Sequence, residues 1–184
     1  MKRYSTKVMF LMTGVIGLLM VSGCATAPRS LQGKADLEQE AAMALAKAQT
    51  SDPTLVNILN AAAGYAVFPS VGKGAIGFGG AYGKGVLYER GSTVGYCDLT
   101  QGSIGLQLGG QSYTEIICFE TGQDVEAFKQ GRLRFDAQAT AVAIKSGAGV
   151  NSKFNHGVAV FTMDEAGLMF EASVGGQKFS YQAK

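Results

Sequence analysis

The sequence predicts an α+β fold: a mostly antiparallel β-sandwich or partly closed barrel, with N-terminal helices and one inserted helix. Three observations lead there. The chain holds 26 Gly and no Trp in 184 residues, a composition suited to strands that approach one another closely. Apolar residues recur at helical spacing only ahead of Gly64 and again between Thr121 and Gln130. Elsewhere large apolar residues alternate with small or polar ones, the period of a sheet with one buried face.

The N-terminus reads as a leader. Lys2, Arg3 and Lys7 form a positive region, and Val8 to Val21 is an apolar run broken only by Thr13, Gly14 and Gly17. The run is shorter than the ~20 residues that a stable span needs, so it is not read as a transmembrane helix. Val21-Ser22-Gly23-Cys24 resembles a bacterial lipobox, in which the cysteine becomes the mature N-terminus and carries the lipid. Ala25 after the cysteine resembles the outer-membrane sorting signal of enteric bacteria. The expected organisation is a lipoprotein signal peptide at 1–23, the lipidated Cys24 and its tether at 24–33, and one domain at 34–184.

Removing the leader changes the charge. Three of the 16 Lys and Arg lie in it and none of the 14 acidic residues do, which leaves 13 basic against 14 acidic, net −1. Whole-chain basicity therefore gives no reason to expect nucleic acid. With Cys24 assigned to lipid, Cys97 and Cys118 remain in an oxidising compartment. Two readings stay open for them. One is a disulfide closing a ~20-residue loop, worth roughly 3 kcal/mol where geometry fits. The other is two buried free thiols, since both lie in apolar segments.

The domain begins with helices. Leu37, Ala41, Leu45 and Ala48 share one face of the first. Asp52 and Pro53 are placed to cap and open a second, with Leu55, Ile58, Leu59 and Ala62 as its stripe and Gly64 as its stop. From Tyr65 onward the period is that of strands. Tyr82-Gly83-Lys84, Gly109-Gly110 and Asp164-Glu165-Ala166-Gly167 read as turns between them, giving roughly eight or nine short strands at hairpin spacing. Thr121 to Gln130 interrupts as a capped helix burying Val125 and Phe128, stopped by Gly131. Arg132 to Lys145 then alternates again.

Few residues offer catalytic chemistry. Gly72-Lys73-Gly74-Ala75-Ile76-Gly77 matches G-x-G-x-x-G, but further glycines follow it, whereas a dinucleotide site needs a helix there. His156 is the only histidine, in a polar loop, and Asp164-Glu165 has an ordinary turn setting. No metal-ligand spacing occurs. An enzyme, a cofactor and a metal site are not expected. Lys73 and Lys84 stand between glycines at expected loop tips, where an ammonium and nearby backbone N–H groups can meet a phosphate. A solvated surface charge is the plain alternative for each.

Several blocks together resemble the SYLF lipid-binding domain over about residues 35–181. They are Ala63-Gly64-Tyr65-Ala66-Val67-Phe68-Pro69, Gly72-Lys73-Gly74, Gly79-Gly80, Gly83-Lys84-Gly85, and Gly102-Ser103-Ile104-Gly105-Leu106-Gln107-Leu108-Gly109-Gly110-Gln111. Ala127-Phe128, Gly157-Val158-Ala159-Val160-Phe161 and Gly167-Leu168 extend them. The resemblance implies binding of anionic phospholipids through a basic surface and an amphipathic N-terminal segment, with actin binding in some eukaryotic relatives. The first helix sets Lys34 and Lys47 against Asp36, Glu38 and Glu40, so it is a poor basic amphipathic helix. The lipid-contact candidates are therefore Lys73, Lys84 and Arg90, with Lys34 and Lys47 weaker.

The expected function is an outer-membrane lipoprotein, facing periplasm or cell surface, whose domain binds anionic phospholipid head groups. The alternative is a structural or interaction lipoprotein that binds another envelope protein and no head group.

Overall fold

The computed structural model describes residues 28, 30–133, 141–143, 149 and 153–184, with the backbone alone at 75–78, 103–109, 141–143 and 164–175. The expected leader, Cys24 and most of the tether lie outside the described residues, as does most of the Arg132–Lys145 alternation.

Two helices lead into the sheet. Helix α1 (Leu31–Ser51) starts within the expected tether, capped by the Ser30 hydroxyl, which accepts from the Gly33 N–H. It buries Leu37, Ala41, Ala44 and Ala48, while Leu45, expected on that face, is only partly buried. Helix α2 (Leu55–Ala61) buries Leu55, Ile58 and Leu59. Asp52 does not serve as the N-cap of α2; that position is Thr54. The buried Asp52 carboxylate instead accepts from the Thr54 N–H and hydroxyl and from the Gly149 N–H. It thus ties the α1–α2 junction to a distant loop.

The sheet differs from the expected run of short hairpins. Strands β1 (Gly64–Glu89), β2 (Ser92–Phe119) and β4 (Val158–Ala183) are 26, 28 and 26 residues long, with a short β3 (Ala141–Ala143) between β2 and β4. The order is β1-β2-β4-β3, antiparallel except where β3 runs parallel to β4. The three expected turns lie inside continuous ladders: Gly83 pairs with Leu99, Gly109 with Ala75 and Met169, and Asp164 with Tyr113. Glycine marks an in-strand bend as readily as a turn, and here it marks the bend. The real two-residue turns are Arg90-Gly91 and His156-Gly157, with all four residues at positive φ.

The long strands curl back on themselves. In the ladder Phe68 aligns with Glu115, while Phe179 aligns with Leu99, far apart along β2. Their rings nonetheless sit 6.1 Å apart. At about 3.4 Å per residue a straight β2 keeps them well separated, so the first and second halves of the sheet face each other. β1 makes the tightest fold. A Cβ on Gly85 would fall 2.8 Å from the Val67 carbonyl oxygen, and one on Gly64 would fall 2.8 Å from that of Tyr88. Only a residue without a side chain fits such an approach.

Two cores result. The interior holds Phe68, Val71, Leu87, Leu99, Ile117, Phe119 and Phe179. Helix α3 (Gly122–Lys129) closes its end, with the Phe128 ring 4.9 Å from Phe119 and 5.0 Å from Phe179. The expected cap of α3 is a full capping box between Thr121 and Asp124. The outer core lies between α1, α2 and the back of the sheet, at Val67, Val86, Tyr96, Ile116 and Phe161. Both cores match an α+β, partly closed sheet.

Candidate functional site

The side chains of β2 alternate in and out. Tyr113, Ile117 and Phe119 point into the interior, and Glu115 shares their face. Glu115 is fully buried. Its Oε2 accepts a 2.9 Å hydrogen bond from Gln177 Nε2, and Gln177 stands beside Gln101 in the ladder. Lys73, on the interior face two residues beyond Val71, is buried too. Burial pushes the Glu115 carboxyl up to about 7, against the opposing pull of the Gln177 hydrogen bond and the Lys73 charge. Three polar atoms of this cluster, Glu115 Oε1, Gln177 Oε1 and Gln101 Nε2, are buried without a protein partner.

This arrangement corrects the expectation for Lys73. It is no loop-tip cation but an interior residue of β1 paired in register with Gln111. The signal was present in the sequence: alternation from Phe119 back to Tyr113 turns Glu115 inward. Glycine-rich flanks concealed the same reasoning for Lys73.

Lys84 also lies within a strand and not at a tip, opposite Asp98. It faces outward on the second half of the sheet. Asp98 is buried and accepts from the Tyr82 and Ser180 hydroxyls, at 3.1 and 3.0 Å. The next row aligns Tyr82, Thr100 and Lys178 across three strands. Tyr82 is 38% exposed, and Lys178 is exposed. Tyr82 thus shares an open sheet face with Lys84, two residues on along β1, and with Lys178, across Thr100 on β4. Sequence reasoning missed Tyr82 and Lys178, because only the register joins residue 82 to residue 178.

The other basic candidates sit apart. Lys34 Nζ lies 4.8 Å above the Tyr96 ring, whose hydroxyl donates to Glu38. Glu38 also pairs with Lys184 at 2.9 Å. The Tyr96 hydrogen bond and then that of Lys184 hold its carboxyl below the usual range. Lys47 is exposed on α1, along a groove with Glu40, Met43 and Ser70. Arg90 is exposed in the β1–β2 turn. The five candidates therefore do not form one patch.

Cys97 and Cys118 are free and fully buried, Cys97 in the interior core and Cys118 in the outer one. The disulfide reading is corrected on that ground, because the two side chains leave the sheet on opposite faces. Burial pushes the Cys118 thiol up to about 12 and raises that of Cys97 as well. Among the described residues no group of His, Cys, Asp and Glu is placed to hold a metal, and no helix is long and apolar enough to cross a membrane. His156 is exposed in its turn.

Comparison with known proteins agrees with the sequence resemblance. Residues 100–184 match the Ysc84 (SYLF) family, described as Las17-binding protein actin regulator. Over 137 residues, 74% of this chain, the sequence is 28% identical to beta cell expansion factor A of Aeromonas veronii. The match covers 52% of that protein, so the chain spans about half the length of the relative.

Proposed function

We propose that this chain, a bacterial SYLF-type domain by the match at residues 100–184, is an outer-membrane lipoprotein that binds anionic phospholipid head groups. The observation that carries the reading is the open sheet face that Tyr82 shares with Lys84 and Lys178. Tyrosine favours the boundary between apolar and polar phases, with its ring on one side and its hydroxyl on the other. Each basic side chain near an anionic surface contributes about 1 kcal/mol. The acyl chains on Cys24 would do the anchoring, and the face would act at high effective concentration beside the bilayer. The reading involves no catalysis.

Two experiments test it. Metabolic labelling with a fatty acid should mark the wild-type chain and not Cys24→Ser; equal label in both removes the anchor. Flotation of residues 25–184 with vesicles rich in phosphatidylglycerol should recover the domain at low salt and release it as salt rises, since exposed charges are screened over about 10 Å at 0.1 M. A domain that stays behind at low salt leaves the protein-partner reading in its place.

A further inference from the structure

Beyond the open face, the structure holds a partly open basic site beside the β1–β2 turn. A cavity of about 310 Å³ lies between α2, the end of α1 and the β1–β2 turn. It is lined by Arg90, Gln49, Asn60 and Tyr65 on its polar side and by Val56 and Leu59 on its apolar side. Arg90 carries the one formal charge among these lining residues. Its volume is at the small end for a ligand pocket, the size of a head group and not of a whole lipid.

The backbone gives a second, independent reason to single out Arg90. It has φ 51° and Gly91 has φ 76°, both in the left-handed region. A two-residue hairpin turn of this kind favours Asn, Asp or Gly at its first position, because a Cβ there is crowded. Arginine is a poor local choice, and its side chain borders the cavity. His156 holds the equivalent place in the other such turn and is exposed, as Arg90 is. Non-glycine residues at positive φ are enriched at functional sites, and Arg90 stands at the rim of a cavity.

We infer that this cavity is a subsite for a monoanionic phosphodiester, gripped by the Arg90 guanidinium, with Gln49 and Asn60 amides as further donors and Val56 and Leu59 against its carbon skeleton. A guanidinium offers a planar pair of donors to two phosphate oxygens. One arginine with neutral amides matches one negative charge. The phosphodiester has two sources, a bilayer phospholipid or a soluble glycerophosphodiester; only the first rests on the membrane reading above.

The test uses the full chain in non-ionic detergent micelles. Isothermal titration calorimetry is run with soluble glycerophosphoglycerol and, separately, with phosphatidylglycerol carried in the micelles. Arg90→Asn is the decisive variant, because asparagine suits the turn better than arginine and should leave the melting temperature unchanged or raised. It should weaken binding about 10-fold or more, whereas Lys84→Glu should leave the soluble titration as it is. Saturation by micellar lipid alone assigns the site to a bilayer head group. Saturation by the soluble diester assigns it to a free ligand. The subsite is overturned if the wild type saturates with neither, or if Arg90→Asn binds as the wild type does. The second outcome leaves the open-face reading intact, and a failed flotation with an Arg90-dependent soluble titration leaves the subsite intact.

Discussion

Gln177 donates a hydrogen bond of 2.9 Å to Glu115 across the interior of the curled sheet, although the ladder pairs Gln177 with Gln101. Both side chains are buried. The contact joins the two halves of the sheet at the point where the apolar interior gives way to polar groups, so it reports directly on closure.

The Glu115 carboxyl makes stability depend on pH. Its folded value is raised, by burial, from 4.5 to about 7. Between these values the folded state binds more protons than the unfolded state, so stability falls as pH rises through that window. The contribution is fully present below about 4.5 and is lost above about 7. A shift of this size corresponds to something on the order of 3 kcal/mol. Urea unfolding at several pH values should show a decline across the window in the wild type, and Glu115→Gln should flatten it. An unchanged slope in the variant would place the titrating group elsewhere.

The fold-back of β1 rests on Gly85. Gly85→Ala puts a methyl group 2.8 Å from the Val67 carbonyl oxygen and 2.7 Å from the Phe68 ring. The expected cost is about 1–3 kcal/mol, the range for overpacking a filled interior. Gly102→Ala meets nothing within 4 Å and should stay within about 0.5 kcal/mol of the wild type. Denaturant midpoints of the two variants check the contrast, and equal midpoints would contradict the close approach.

Charge reversal separates surface lysines from the buried one. Lys84→Glu with Lys178→Glu should weaken binding to anionic vesicles ~10-fold or more without altering the melt. Lys73→Glu should act differently. It sets a second carboxylate near buried Glu115, and an uncompensated buried charge costs about 3–5 kcal/mol. The expected result is an unfolded or strongly destabilised protein, seen by thermal denaturation. A Lys73→Glu domain that melts normally would mean the side chain is not interior.

The thiols should be silent until the fold opens. In residues 25–184 neither Cys97 nor Cys118 should react with a thiol reagent under native conditions at neutral pH, since both are buried and protonated. In denaturant without reductant both should react. A missing pair of thiols in denaturant would reveal a disulfide.

Much of this fold is written locally. Leu37, Ala41 and Ala48 lie on the buried face that their spacing requires, and Val125 and Phe128 do the same on α3. Thr121 and Asp124 make their capping box from residues within one turn. The family match at residues 100–184 is also read from the chain itself. Each of these signals depends on neighbours a few positions away.

The tertiary structure decided the rest. Whether Gly83, Gly109 and Gly167 turn the chain or bend it depends on which distant strand pairs with them, and backbone permissiveness alone is neutral between the two. That choice turned Lys73 inward to Glu115 and aligned Lys178 with Tyr82. It also sent Cys97 and Cys118 to opposite faces. Alternation fixes which side of a strand a residue occupies, but only the long-range curl of the sheet determines whether that side is interior or solvent.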